Sequence, residues 1–370
     1  MSFVFAHPLL GRDSPIGAAD QSLIAGLMIE EENDRHASHH WTATGARLGL
    51  DHLPDQLADI LGGNGPALDP ALRRTFRKAY LVGTGTALAA AQGLRPLFEE
   101  MLGGTPCEAI DSTDFAYYAR QAVNADCLVI VLAAAEAPWR SLEAILAARA
   151  LGAFALVLTA GGDPRYDQCS RSIWRVRPPT DPIAGPSLLL AMAYRFGLAL
   201  GELNGVAASR LAQLGAALDA MPRQLEQSLI PTAADRAFAA RLQEAGHIIV
   251  AGNGAARAAT AASAHWFGEV LGRPVTLCGL EALGKIPPDP SIATLMIVPN
   301  GLSVRRAQLV LERRQDDGAI ALVVAEDSPL RALDVGMAFA LPAMIERLSA
   351  LVYLAASQRI ACALVEGRQP

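Results

Sequence analysis

The chain has 370 residues, 52% of them hydrophobic and 18% charged, which is material for more than one core and excludes a disordered chain. At roughly 150 residues per domain, about two domains are expected. With 31 Lys and Arg against 37 Asp and Glu, the formal net charge is −6, so no broad basic field attracts a nucleic-acid backbone and no nucleic-acid partner is expected.

Met1 to Arg12 has neither a basic start nor a long apolar stretch before a cleavage site, so no secretory signal is expected. Gln21 to Leu61 reads as helical, with a break near His36 to Thr44. His36, His39 and His40 in that break have no visibly paired carboxylate or thiol cluster, so a polar loop is expected and no metal site. Ala79 to Gly83 is a buried strand, and the turn Thr84-Gly-Thr86 opens an Ala-rich helix, Ala87 to Leu102. Strands follow near Pro106 to Ile110, Cys127 to Leu132, Ala153 to Thr159 and Ser172 to Val176, with helices at Trp139 to Leu151 and Ser187 to Leu203. Short β-rich runs alternating with helices imply parallel strands joined by right-handed crossovers.

Val206 to Gln243 reads as a linker of two helices. The grammar then restarts: strand His247 to Ala251, glycine turn Gly252-Asn-Gly254, Ala-rich helix Ala255 to Leu271 and a short strand from Pro274. Further strands are expected at Ile292 to Val298 and Ala319 to Val324, with a closing helix at Ala343 to Val365. Gly83 and Gly252 begin turns 169 residues apart, a spacing that fits a duplicated domain and far exceeds solenoid periods. The expected division is a helical leader (1–65), a first α/β domain (66–205), the linker (206–243) and a second domain (244–370). The apolar runs Cys127 to Ala135 and Ile292 to Val298 are strand-sized, and no uninterrupted apolar stretch reaches the roughly 18 residues that spanning needs, so no membrane partner is expected. Five scattered cysteines without a Cys-x-x-Cys pair point to reduced, mostly buried thiols in a cytoplasmic protein.

A strand running into a glycine turn and a helix start directs backbone N–H groups and the positive helix end at the sheet's carboxyl edge, where open parallel sheets bind phosphates. The Gly-x-Gly-x-x-Gly dinucleotide fingerprint fails, because Leu88 and Arg257 stand where its third glycine is needed. No cofactor is expected.

The order and spacing of the motifs resemble the double sugar isomerase (SIS) domain family, typified by the isomerase half of glucosamine-6-phosphate synthase. Met28-Ile-Glu-Glu-Glu32 resembles its N-terminal Met-x-Lys-Glu-Ile segment, Val82-Gly-Thr-Gly-Thr86 its Cys-Gly-Thr-Ser turn, and Ser112-Thr-Asp-Phe115 its Ser-Glu-Phe. Ala184-Gly-Pro-Ser187 stands where the family has an Ala-Ser-Thr-Lys helix start. In the second half Gly252-Asn-Gly254 is similar to Gly-Arg-Gly, the helix ending in Glu269 to one ending in Lys-x-Lys-Glu, and Gly279-Leu-Glu281 with Pro287-Pro288 to Gly-Glu-Leu-Lys-His-Gly-Pro. The resemblance implies two tandem SIS domains, each a flavodoxin-like parallel sheet flanked by helices in three α-β-α layers. It also implies a sugar or sugar phosphate as ligand, a second-lobe glutamate moving protons, and a homodimer whose partner completes the site.

Carried onto this chain, Glu269 is the candidate base. His265, four residues earlier, shares its helix face and could tune it by a hydrogen bond, although a packed core histidine is the expected state. Glu281 and Lys285 occupy the segment that in the family holds a ring-opening histidine, which is missing here. The family's phosphate loop Ser-Gln-Ser-Gly-x-Thr is replaced by Ala133-Ala-Ala-Glu-Ala-Pro138, without a hydroxyl and with Glu136 opposing a dianion. Candidate ligand contacts are Gly83, Thr84, Gly85, Thr86, Ser112, Thr113 and Ser187, and Gly252, Asn253 and Gly254 in the second half. Each hydroxyl has the alternative of being only a cap or turn residue. Two functions are carried forward: an aldose–ketose isomerase-type enzyme, and a relative that binds a sugar derivative without turning it over.

Overall fold

The computed structural model describes residues 9, 16–34, 41–63, 65–134, 138–161, 163–170, 172–177, 179, 181–314 and 320–368. Two leader helices, α1 (Ala18–Asp34) and α2 (Ala43–Gly62), precede the first lobe, which runs β1 (Lys78–Gly83), α3 (Thr86–Met101), β2 (Cys107–Asp111), α4 (Ser112–Tyr118), β3 (Cys127–Ala133), α5 (Pro138–Ala150), β4 (Phe154–Thr159), α6 (Arg165–Cys169), β5 (Ile173–Arg175) and α7 (Gly185–Leu203). Two connecting helices follow, α8 (Ala208–Ser228) and α9 (Ala233–Glu244). The second lobe is β6 (His247–Ala251), α10 (Arg257–Leu271), β7 (Thr276–Cys278), α11 (Leu280–Leu283), β8 (Ile292–Val298), α12 (Val304–Glu312), β9 (Ile320–Ala325), β10 (Met337–Leu341) and α13 (Ser349–Glu366).

Both sheets are wholly parallel and have the same order: β2-β1-β3-β4-β5 in the first and β7-β6-β8-β9-β10 in the second. Identical orders after identical glycine turns are what a duplicated unit requires. In each sheet the order reverses beside the first strand, which opens a crevice at the carboxyl edge between β1 and β3 and between β6 and β8. The strand β10 was not anticipated, although Met337 to Leu341 is apolar throughout; at the sheet's edge only Phe339 and Leu341 of it are buried.

Successive strand residues serve opposite faces. Ala79 and Leu81 join one core with Ile248 and Val250 of the other sheet, while Tyr80 and Val82 pack outward under α1, α4 and α5. A third, smaller cluster lies between Ile249, Met296 and Leu322 and the short helices α11 and α12. The helices α3, α7, α10 and α13 thus form a shared layer between the two sheets, and the lobes have one continuous core. Close approach of α3 and α10 depends on a missing side chain: a Cβ at Gly93 would stand 2.6 Å from that of Ala258.

The segments Pro182–Leu203 and Glu346–Glu366 are long and apolar enough to cross a membrane by composition. In this fold they are buried centrally, with every residue of α13 from Ser349 to Val365 covered, which is why they are predominantly apolar. Cys107, Cys127, Cys169 and Cys362 are buried free thiols and Cys278 is half-buried. Burial pushes the Cys107 and Cys362 thiols up to about 12, so neither is a ready nucleophile.

Candidate functional site

Both glycine turns are built alike, for two separate reasons. A Cβ on Gly83 would meet the α3 backbone at 2.7 Å, and one on Gly252 would meet Thr260 at 2.7 Å and the Ile297 carbonyl at 2.8 Å. The second glycines, Gly85 and Gly254, have φ of 57° and 60°, the left-handed region that favours glycine. Strand, turn and helix can therefore meet closely only with glycine at these positions.

The carboxyl edge of the first sheet collects Thr84, Thr86, Ser112 and Thr113. Gly83 pairs in register with Asp111, so Thr84 and Ser112 leave adjacent strand ends about 4.8 Å apart in strand spacing. Asp111 caps α4 by accepting the Thr113 N–H at 2.8 Å, which accounts for Thr113 locally. The hydroxyls of Ser112 and Thr84 are buried and have no hydrogen-bond partner among the described residues. Ser112 is only 1% exposed. Buried hydroxyls are normally satisfied, so two unsatisfied ones side by side at a sheet's carboxyl edge are the distinctive feature of this surface. Ser187 behaves otherwise: it is fully buried and accepts a hydrogen bond from the Gln358 amide at 3.0 Å. Gln358 also donates to the Ile183 carbonyl at 2.8 Å, so Ser187 ties α7 to α13.

Glu269 comes to the same end of the molecule through helix packing. Gly93 in α3 faces Ala258 at the start of α10, and Glu100 near the end of α3 is ion-paired to Arg347, whose neighbour Glu346 reaches Gly254. The two helices are therefore antiparallel. A rise of about 1.5 Å per residue carries α10 back past Thr86, where α3 begins, to Glu269. One carboxylate oxygen lies 3.4 Å from His265 Nε2, the other accepts the Trp41 indole N–H at 3.3 Å, and both Glu269 and His265 side chains are about one-third exposed. The shared helix face expected for His265 and Glu269 is present, and His265 is not a core residue. Trp41 was missed, since nothing local marks an indole that meets a carboxylate 228 residues away.

The remaining candidates lie at the second sheet's carboxyl edge, on the opposite side of that lobe from Glu269. Arg306 clamps both oxygens of Glu281, at 2.5 Å each, and Lys285 is exposed. Asn253 accepts the Leu280 N–H at 2.8 Å and holds the glycine turn against the start of α11. Within one chain, then, Glu269 and the first-lobe hydroxyls share one end, whereas Glu281, Lys285, Gly252, Asn253 and Gly254 share another. His36, His39, His40 and Glu136 lie outside the described residues. Among the described residues no cluster of three His, Cys, Asp or Glu is placed to hold a metal. Cavities of about 350 and 290 Å³ lie elsewhere, on either side of Trp174 at the edge strand β5, and none of the candidate residues lines them.

No protein-family profile matches the sequence, and no curated protein matches it. Solved structures do. The C-terminal domain of glucosamine-fructose-6-phosphate aminotransferase from Francisella tularensis superposes with a TM-score of 0.77 at 14% identity, covering 89% of this chain and 97% of that one. Tagatose-6-phosphate ketose/aldose isomerase from Escherichia coli gives 0.65 at 17% identity, with 89% and 94% covered. A protein of Salmonella typhimurium LT2 provisionally named as sugar-binding gives 0.66 at 16%, with 86% and 99% covered. The chain has the tandem fold of these three structures, over nearly its whole length and theirs.

Proposed function

We propose that the first lobe binds a carbohydrate derivative at its carboxyl edge and that Glu269 moves a proton on it. The observation that carries this reading is the pair of unsatisfied buried hydroxyls, Ser112 and Thr84, at the end of the molecule to which α10 brings Glu269. A sugar offers the matching donors and acceptors. Neighbours named for glucosamine-fructose-6-phosphate and tagatose-6-phosphate chemistry support the substrate class. In aldose–ketose interchange a carboxylate removes the C2 proton of the open-chain aldose, the C–H electron pair becomes the C1–C2 double bond of an enediolate with its charge on O1, a proton passes from O2 to O1, and the carboxylate returns its proton to C1 as the O2 electrons form the C2 carbonyl. Trp41 and His265 hold the Glu269 oxygens in place for such a transfer. Ring opening needs a further acid or base. Lys285 stands on the far edge of its own chain, so in this reading a second copy supplies it, as part of a homodimer with a shared site in the cytoplasm.

A second reading, binding without turnover, is favoured by one specific feature: no histidine stands in the Glu281 to Lys285 segment, and Glu281 there is ion-paired to Arg306. Both readings share the binding claim, which calorimetry tests with hexose 6-phosphates and the corresponding free hexoses. Ser112→Ala is expected to weaken the preferred ligand by about tenfold, the worth of one or two lost hydrogen bonds. Equal affinity for wild type and variant contradicts the site. Preference for the free sugar assigns the Ala133 to Pro138 segment no phosphate.

A further inference from the structure

The two lobes have the same topology, so their crevices can be compared position by position. In each, the last strand leads through a single 3₁₀ turn into a long buried helix: Pro182–Ala184 before α7, and Glu346–Leu348 before α13. The first residue of that turn is Pro182 in one lobe and Glu346 in the other. The Glu346 carboxylate reaches into the crevice between β6 and β8. One oxygen accepts the Leu302 N–H at 3.2 Å, in the loop after β8, and the other would lie 3.4 Å from a Cβ on Gly254, in the turn after β6. Gly301, at φ 151°, lies against the same carboxylate, and any side chain there would collide with it. Of the neighbouring polar groups, the Asn300 amide donates to Asp327 at 2.5 Å while its Oδ1 has no partner among the described residues, and Asn253 accepts from Leu280. The first lobe differs in having proline in place of glutamate, and its unpartnered groups, the Ser112 and Thr84 hydroxyls, are able to donate to an anion, as the Asn300 carbonyl oxygen is not.

We propose that Glu346 is a built-in anion: its carboxylate takes the place of a small oxyanion, such as phosphate, in the second lobe's crevice, leaving the first lobe as the one open to a ligand. The carboxylate takes a backbone N–H from the loop at a helix start and lies against a glycine turn, two elements that suit an oxyanion, with a side chain of the same charge sign as that ligand. The duplicated fold thereby retains one ligand crevice per chain. This does not depend on whether Glu269 turns a sugar over.

The test is titration with inorganic phosphate, read by backbone amide shifts of Gly254, Gly301 and Leu302. Wild type is expected to show no saturable shift at these amides. Glu346→Ala, and Glu346→Pro, which copies the first lobe's residue, are expected to gain one at millimolar phosphate, and adding Ser112→Ala is expected to leave that gain unchanged. If one variant fails to fold, the other answers the question. A saturable wild-type response of the same size, or a folded variant without one, overturns the proposal.

Discussion

The indole N–H of Trp41 donates to Glu269 at 3.3 Å, joining the start of the leader's second helix to the end of the second lobe's first helix. The contact gives the leader a place in the site. Trp41→Phe keeps the ring and removes the donor. It is expected to lower the unfolding free energy by about 1 kcal/mol and to slow proton transfer on the bound sugar while its affinity stays unchanged. Urea unfolding and single-turnover exchange measure the two effects separately.

Glu100 joins three parts of the chain. It receives Arg210 of α8 at 2.6 Å and is also ion-paired to Arg347, just before α13. The Arg210 hydrogen bond, aided by the Arg347 charge and opposed by burial, holds the Glu100 carboxyl below its ordinary value. Its contribution is therefore complete above the unfolded-chain value of about 4.3 and is lost as pH falls through the lower folded-state value. Glu100→Gln is expected to be less stable than wild type by about 1–2 kcal/mol at neutral pH, with the gap closing in acid. Denaturation at a series of pH values checks it, and a gap that widens below pH 4 contradicts the assignment.

Asp235 and Arg359 form a pair that is almost fully buried, 1% and 6% exposed, with both carboxylate oxygens 3.1 Å from Nε. Asp235 also completes a capping box with Thr232 at the start of α9. Asp235→Ala strands a buried guanidinium and is expected to cost about 3–5 kcal/mol, whereas adding Arg359→Met is expected to recover much of that loss. A double-mutant cycle by chemical denaturation measures the coupling.

The sequence displayed what depends on local pattern. Central strands are continuous apolar runs because helices cover both faces, and both glycine turns stand out because strand and helix cannot meet there otherwise. The i, i+4 relation of His265 and Glu269 follows from helical geometry alone. The hidden features depend on distant partners or on edges. Edge strand β10 is a short apolar run only partly buried at the sheet's edge, and α4, α6 and α11 are too short for a clear period. Ser187 reads as a ligand hydroxyl until Gln358 is found against it, 171 residues away. Glu346 resembles any loop carboxylate until the fold lays it across Gly254 and Leu302.

Proton transfer by Glu269 at the first lobe's edge is measured by solvent deuterium exchange at C2 of bound hexose 6-phosphates and amino-sugar phosphates. Measurable exchange is expected with at least one sugar that binds, and a loss of about 100-fold or more in Glu269→Gln with affinity retained. Binding without exchange for every sugar, or equal exchange in Glu269→Gln, would contradict it.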